Sequence, residues 1–277
     1  MRKPLRFGVA GNPIAHSLSP DIHSAFAKSL GIDMVYERYL LPEDRFEQQT
    51  QLLFDDGLEG LNITVPFKQE AYSFAQDLDP LALVAGTVNT LAKKSGRIVG
   101  YNTDGVGMVR DLQVRHNIKL HGSSALILGA GGACRGIIQP LLNAGGGKMW
   151  IANRTLERAN GIVQQFQITD SQTLQAVPVN SLRQSPPAAD LVFNSTSLGL
   201  ENGEIQLPPL LAAGRVCYDL SDGKQARFAT WAAANGASQS LDGLGMLVEQ
   251  AAESFQIWLG RRPDTDPVYA LLRRKLL

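Results

Sequence analysis

The sequence predicts an α/β protein of two domains, and three observations carry that prediction. Strand-like and helix-like patterns alternate from residue 5 to residue 104, the signature of a sheet covered by helices. A second block of the same alternation opens at residue 125, with a glycine-rich turn between its first strand and helix. The length, 277 residues, exceeds what most single cores organise.

Residues 5–10 read as a strand, broken by Gly11-Asn12-Pro13. Residues 20–30 read as a helix, with Ser19 as N-cap and Pro20 at the first helical position, where a missing N–H is harmless. A strand at 34–41 and a helix at 42–54 follow, with Leu52 and Leu53 facing inward. Residues 61–65 form the third strand and Pro66 opens a third helix. This alternation argues for a parallel sheet, while 87–92 and 97–100 read as a hairpin around Ser95-Gly96. A helix at 105–116 leads into the second block, with a strand at 125–128, a helix at 132–144 and strands at 149–152, 191–194 and 216–219. Residues 184–189, carrying Pro186-Pro187, form a loop. Leu244, Leu247, Val248, Ala251, Ala252, Phe255, Trp258 and Leu259 recur at helical spacing, and a final helix covers 268–277.

Composition narrows the function classes. Lys+Arg and Asp+Glu are both 26, so the formal net charge is zero, and nothing in that balance suggests nucleic acid or an anionic membrane. Any bound anion must be held by local groups. Cys134 and Cys217 stand far apart, which suits neither a disulfide framework nor a cysteine-rich metal site, and no His/Cys/Asp cluster has metal spacing. Residues 1–11 are broken too early by Gly and Pro to read as a signal peptide, and no apolar run approaches membrane-spanning length. The expectation is a cytoplasmic enzyme.

The glycine-rich turn runs Gly129-Ala130-Gly131-Gly132-Ala133, followed by Cys134-Arg135-Gly136, which departs from a strict GxGxxG. Between strand and helix, such a turn brings a pyrophosphate to the helix N-terminus. Glycine also serves plain strand–helix turns, so the next strand decides. Its end carries Asn153-Arg154-Thr155, with Arg158 one turn on, where an NAD site wants an acid for the ribose hydroxyls. Arginine in a first helical turn opposes the helix dipole, and two guanidiniums with a hydroxyl suit a 2′-phosphate. The reading is therefore NADP.

In the first hundred residues, side-chain donors crowd into four turn segments. They are His16-Ser17-Leu18-Ser19-Pro20, Asn62-Ile63-Thr64-Val65-Pro66-Phe67-Lys68, Val88-Asn89-Thr90 and Asn102-Thr103-Asp104-Gly105. On a parallel sheet, turns at the strand C-termini share the ligand-binding edge. Lys68 sits in a first helical turn, where the dipole disfavours a cation, a setting for a proton carrier beside a carboxylate. Plainer alternatives stand beside these readings. Lys68 as a solvated surface lysine, Asp104 as an N-cap, Ser17 and Ser19 as turn residues and His16 and His23 as structural histidines are each ordinary. Gln250 lies at the edge of the 244–259 stripe and faces either a cleft or water.

Together these segments resemble the shikimate dehydrogenase family, the NADP-dependent members of the shikimate/quinate dehydrogenase superfamily. The matching stretches are 11–20, 62–68, 85–90, 102–105, 129–133, 153–155 and 242–247, in the family's order over nearly the whole chain. The resemblance implies reduction of 3-dehydroshikimate with NADPH. It implies Ser17, Ser19 and Thr64 as carboxylate ligands, Asn89, Asp104 and Gln250 as ring-hydroxyl ligands, and Lys68 with Asp104 as the catalytic pair. Gly129, Ala130, Gly131, Gly132 and Ala133 would hold the pyrophosphate, and Asn153, Arg154, Thr155 and Arg158 the 2′-phosphate. Thr196 and Ser197 would lie near the cofactor, and Gly243 and Met246 near the nicotinamide. The implied architecture is a discontinuous α/β substrate domain, 1–104 plus 242–277, around a Rossmann-type NADP domain at 105–241, as a monomer or homodimer.

One departure stands out. Family members carry a tyrosine after the strand ending near Tyr218-Asp219, where this chain has Ser221-Asp222-Gly223, and no tyrosine lies between 219 and 268. Asp222-Gly223 is also a good turn pair. Three rival readings remain: an NAD-using quinate/shikimate dehydrogenase, a non-catalytic NADP-binding regulator on the same fold, and a folate-linked methylene dehydrogenase. The absence of an acid at 153–154, the presence of Lys68 and Asp104, and the Ser17/Ser19 segment speak against them in turn.

Overall fold

The computed structural model describes residues 3–166, 168–196 and 206–276. The chain is α/β and forms two compact units, residues 1–107 with 247–272 and residues 108–246 with 273–277.

The first unit starts with β1 (Leu5–Gly11), α1 (Ser19–Leu30), β2 (Met34–Leu40), α2 (Phe46–Asp55), β3 (Gly60–Ile63) and α3 (Lys68–Phe74). There follow β4 (Asp77–Leu78), α4 (Pro80–Ala85), β5 (Thr90–Lys94), β6 (Arg97–Tyr101) and the start of α5 (Asp104–Arg110). The sheet order is β2-β1-β3-β5-β6-β4. β1 pairs in parallel with β2 and β3, as the alternation predicts, but the β5–β6 hairpin brings in antiparallel pairs at β3–β5 and β5–β6 before β4 joins β6 in parallel. Ser95 and Gly96 both take positive φ, 49° and 81°, which matches the twist a two-residue hairpin needs. Phe46, Phe54, Leu58, Leu61, Phe67, Val88 and Leu91 are among the buried residues that fill this unit's core.

Several local expectations are corrected. Ser19 is the first residue of α1 rather than its cap: Leu18 precedes it, and the Ser19 N–H donates to Ser17 Oγ at 3.3 Å. Residues 42–54 split into a short 3-10 turn, Glu43–Arg45, and α2. Phe46, Thr50 and Phe54 define the buried face of α2, and Leu52, about 200° away from Phe54 around the axis, is 54% exposed. Pro66 does not open α3. It lies in a turn closed by the Phe67 N–H on the Thr64 carbonyl, and the helix starts at Lys68. The helix after Asp104 ends sooner than expected, passing at Asp111–Arg115 into a π-helical turn with His116 N–H on the Asp111 carbonyl.

The second unit contains β7 (Ala125–Leu128), α6 (Gly132–Asn143), β8 (Lys148–Asn153), α7 (Leu156–Val163), β9 (Thr173–Pro178) and β10 (Leu191–Asn194). It continues with β11 (Val216–Asp219), α8 (Arg227–Ala234), β12 (Gln239–Leu241) and the first residues of α9 (Leu244–Leu259). Every strand pair is parallel and the order is β12-β11-β10-β7-β8-β9. Numbered from β7, that is 6-5-4-1-2-3, the Rossmann order, with its switch point between β7 and β10. β7 and β10 are buried throughout, which explains their unbroken apolar sequences. α10 (Asp266–Leu276) closes the described chain.

Candidate active site

In the first unit, the turns after β3, between α4 and β5, and after β6 carry the donor-rich segments. The Val88 N–H donates to the Lys68 carbonyl, and Asn89 N–H to the Tyr101 carbonyl, so the three turns are tied by backbone bonds. Lys68 Nζ donates to Asp104 Oδ2 at 2.5 Å, with side-chain exposures of 30% and 12%. Asn89 Nδ2 lies 2.8 Å from Asp104 Oδ1, 2.9 Å from Thr103 Oγ1 and 3.2 Å from Gln250 Oε1. Thr103 N–H donates to Asn89 Oδ1, which fixes the orientation of that amide. Asn102 supports the turn from below, donating to the Thr87 carbonyl and accepting from the Asp104 N–H. Lys68, Asn89, Asp104 and Gln250 therefore form one connected polar cluster, part-exposed at the lysine.

Gln250 reaches this cluster because α5 and α9 approach closely at Gly107. A Cβ there would lie 2.6 Å from Gln250 N, so any side chain would push the helices apart. Asp104 is the first residue of α5, not a cap, and its carboxylate serves Lys68 and Asn89.

Ser17 and Ser19 lie between β1 and α1, and Thr64 follows β3, its N–H donating to the Ala10 carbonyl of β1. Ser17 Oγ accepts from Ser19 N–H, and Ser19 is 7% exposed. Thr64 packs beside Gly11, where an added Cβ would meet Thr64 Cγ2 at 2.5 Å.

Sequence reasoning assigned no role to Asn62, Ser254 or Arg38. Asn62 is a buried hub that accepts from Tyr36 OH and donates to Thr90 Oγ1 and Ser254 Oγ. Ser254 lies four residues past Gln250 and donates to its carbonyl, a helical spacing that was the available signal. Arg38 donates to the Ser17 carbonyl from β2, where only its polar place in an alternating strand marks it.

In the second unit, Gly129 closes β7 with φ 104° and donates to the Ala152 carbonyl of β8. A Cβ on Gly129 would sit 2.5 Å from Thr196 Cγ2, so the glycine lies against the turn after β10, at the switch point. Ser195 Oγ donates to the Leu128 carbonyl, and Thr196 Oγ1 to Asn194 Oδ1. Gly131 is the N-cap of α6 and brings no side chain to it, nothing lies within 4 Å of its hypothetical Cβ, and Gly131, Gly132 and Ala133 are exposed. The open N-terminus of a twelve-residue helix thus faces solvent with uncapped N–H groups, which fits a pyrophosphate.

Asn153 ends β8 and donates to the Thr155 carbonyl, so Arg154, Thr155 and Arg158 stand exposed beside the glycine turn. No acid ends this strand, which fits a 2′-phosphate better than free ribose hydroxyls. Gly243 N–H donates to the Ser221 carbonyl, and a Cβ there would lie 2.4 Å from the Leu220 carbonyl oxygen. Met246 N–H donates to Tyr218 OH, which in turn donates to the buried Asp111 carboxylate. Ser197 lies outside the described residues. Asp222 is half-buried at the start of a short turn, Gly223–Gln225, with Gly223 at φ 53°. Burial and the Asp242 carboxylate raise its pKa, and Arg273 opposes them. Asp242 itself is held by both Arg273 amines at 2.6 Å.

Three family models match the chain: the shikimate dehydrogenase substrate binding domain over residues 9–91, the shikimate / quinate 5-dehydrogenase domain over 112–200, and the shikimate 5'-dehydrogenase C-terminal domain over 243–273. A shikimate dehydrogenase (NADP(+)) of Alkalilimnicola ehrlichii is 49% identical over 273 residues, covering 97% of this chain and 98% of that protein. Among solved structures, an Ael1 enzyme from Pseudomonas putida superposes with a TM-score of 0.90 at 36% identity, over 97% of this chain and 98% of that one. The Thermus thermophilus shikimate 5-dehydrogenase in complex with NADP(H) and shikimate gives 0.81 at 33% identity, over 98% and 99%.

Proposed function

Because the chain belongs to the shikimate dehydrogenase family, we propose that it catalyses the reversible NADPH-dependent reduction of 3-dehydroshikimate to shikimate in aromatic amino-acid biosynthesis. The observation that carries this reading is the Lys68–Asp104 ion pair inside the Asn89–Gln250 cluster. NADPH, when bound, supplies the hydride that reduces the ketone carbon.

Each residue then has a task. The Ser17, Ser19 and Thr64 hydroxyls hold the substrate carboxylate, and Asn89, Asp104 and Gln250 orient the ring hydroxyls. Reduction leaves negative charge on the ketone oxygen. Lys68 stabilises it and delivers the proton, and in the oxidising direction takes it back. Asp104 holds the ammonium in place by its 2.5 Å contact, and Asn89 holds Asp104 in turn. In the second unit, the turn of Gly129, Ala130, Gly131, Gly132 and Ala133 would hold the pyrophosphate, with Gly129 shaping the turn and the uncapped N–H groups at the start of α6 facing the phosphates. Asn153, Arg154, Thr155 and Arg158 take the 2′-phosphate. Thr196, Gly243 and Met246 would border the rest of the cofactor. The first unit is thus the substrate unit and the second the NADP unit, in a cytoplasmic monomer or homodimer.

The test is shikimate-dependent reduction of NADP, followed at the NADPH absorbance band, with 3-dehydroshikimate identified as product. Reduction with quinate and NAD, and not with shikimate and NADP, would replace this reading by the quinate-dehydrogenase one. The basic strand end at Asn153-Arg154 argues against that outcome.

A further inference from the structure

Arg38 lies on β2, the edge strand of the first sheet, in register with Val9 of β1. Its guanidinium donates twice to one acceptor, the Ser17 carbonyl, from Nε at 3.1 Å and Nη2 at 2.6 Å. Ser17 is held on its other side as well, its N–H donating to the Ile14 carbonyl and its Oγ accepting from Ser19 N–H. The arginine fork therefore holds the peptide that carries the Ser17 hydroxyl, and that hydroxyl in turn meets the Ser19 N–H. Its neighbours on the strand face other partners: Glu37 accepts from Tyr39 OH, and Tyr36 OH donates to Asn62. Among the described residues, no carboxylate comes within ion-pair distance of Arg38. Its charge is thus spent on a neutral carbonyl beside a serine turn. The field of that charge also reaches the Tyr36 hydroxyl, which Ser19 neighbours. A fixed guanidinium clamping a turn of hydroxyls is a natural complement to an anion.

We propose that Arg38 is a positioning and charge-supplying residue for the substrate carboxylate: it fixes the Ser17–Ser19 turn through the Ser17 carbonyl and adds attraction for the negative charge held there. This rests on Ser17 and Ser19 binding the carboxylate. The group recognised is a carboxylate on a small polyhydroxylated ring.

The experiment compares wild type with Arg38→Ala, Arg38→Gln and Arg38→Lys in steady-state oxidation of shikimate by NADP. Arg38→Ala should raise KM for shikimate about tenfold, the scale for losing one charge-assisted interaction, with kcat and KM for NADP within about twofold. Arg38→Gln can still donate to the carbonyl but carries no charge, so it should recover part of the loss, and Arg38→Lys more. Two readouts separate this from simple loop damage. With shikimate methyl ester, which has no carboxylate charge, the Arg38→Ala penalty should shrink to about twofold or less. Added salt should raise the wild-type KM for shikimate, and this dependence should flatten in Arg38→Ala and Arg38→Gln but not in Arg38→Lys. Unchanged KM in Arg38→Ala, or equal salt dependence in all four proteins, overturns the proposal. So does a kcat loss without a KM change. A wild type inert toward shikimate would instead overturn the function proposed above, so the two failures are distinct.

Discussion

Lys68 and Asp104, 36 residues apart in the sequence, meet with Nζ 2.5 Å from Oδ2, while the other carboxylate oxygen takes the Asn89 amide. The carboxylate is thus used on both sides, and the lysine is the more exposed partner of the pair. Lys68→Ala should lower kcat by about 100-fold, the usual scale for losing a general acid–base, with little change in KM. Asp104→Asn should lower kcat too, because it leaves Lys68 without its charged partner. Near-normal kcat in Lys68→Ala would return Lys68 to the role of a surface lysine. Loss of thermal stability alone in Asp104→Asn would make that residue structural.

Cofactor choice should hinge on Arg154, exposed at the end of β8 next to the glycine turn. Arg154→Asp should raise KM for NADP about thirtyfold or more, the worth of a hydrogen bond between charged groups plus the repulsion introduced, and leave NAD less affected. Equal losses with both cofactors would mean that Arg154 does not read the 2′-phosphate.

His23 makes a stability prediction with a definite sign. It is fully buried, stacked on Tyr36 at 4.3 Å and 7°, and neither ring nitrogen has a hydrogen-bond partner. Burial pushes its pKa down from 6.5 to about 3, and the nearby Asn62 amide, which falls short of hydrogen-bond geometry to the ring, opposes this only weakly. The unfolded chain therefore takes up a proton that the folded chain refuses. The neutral histidine's contribution is complete above pH 6.5 and is lost progressively as pH falls from 6.5 toward 3. That loss approaches about 1.4 kcal/mol per pH unit for one proton. His23→Phe keeps the stacked ring and removes the titration. The variant's denaturation midpoint should gain on wild type steadily as pH falls below 6.5. A constant difference across that range would contradict the argument.

Asp222 should behave in the related sense for a carboxylate. Its pKa is raised, so its favourable contribution belongs to low pH and is lost as pH rises through the folded value. Asp222→Asn should raise the melting temperature at neutral pH, with the gain shrinking in acid. A lower melting temperature at neutral pH would show that the charged form is stabilised by Arg273 more than it is penalised by burial and Asp242.

The parts legible in the sequence were those where one physical requirement fixes the residue type. The apolar stripe on α9 spans Leu244–Leu259, as periodicity predicts. The Rossmann turn was visible because only glycine tolerates φ 104° against Thr196. β9 and β12 were missed because both are edge strands, half-exposed and mixed in polarity, with no alternation to read. β4 has two residues and no pattern at all. At the site, the turn segments announced their donors, but the pairing of Lys68 with Asp104 across separate turns is a property of the fold. Ser254 was marked only by its four-residue spacing from Gln250 on an otherwise apolar helix face, and Arg38 only by a polar place on an alternating strand, and neither signal separates a site residue from ordinary packing or solvation.

The central claim is hydride transfer from NADPH to 3-dehydroshikimate by this chain. Mass spectrometry of the product formed from 3-dehydroshikimate and NADPH deuterated at both C4 positions tests it most directly. The prediction is shikimate carrying a single deuterium on the reduced carbon, formed by wild type and far more slowly by Lys68→Ala. Shikimate without deuterium, or no shikimate at all from the wild-type protein, would contradict it.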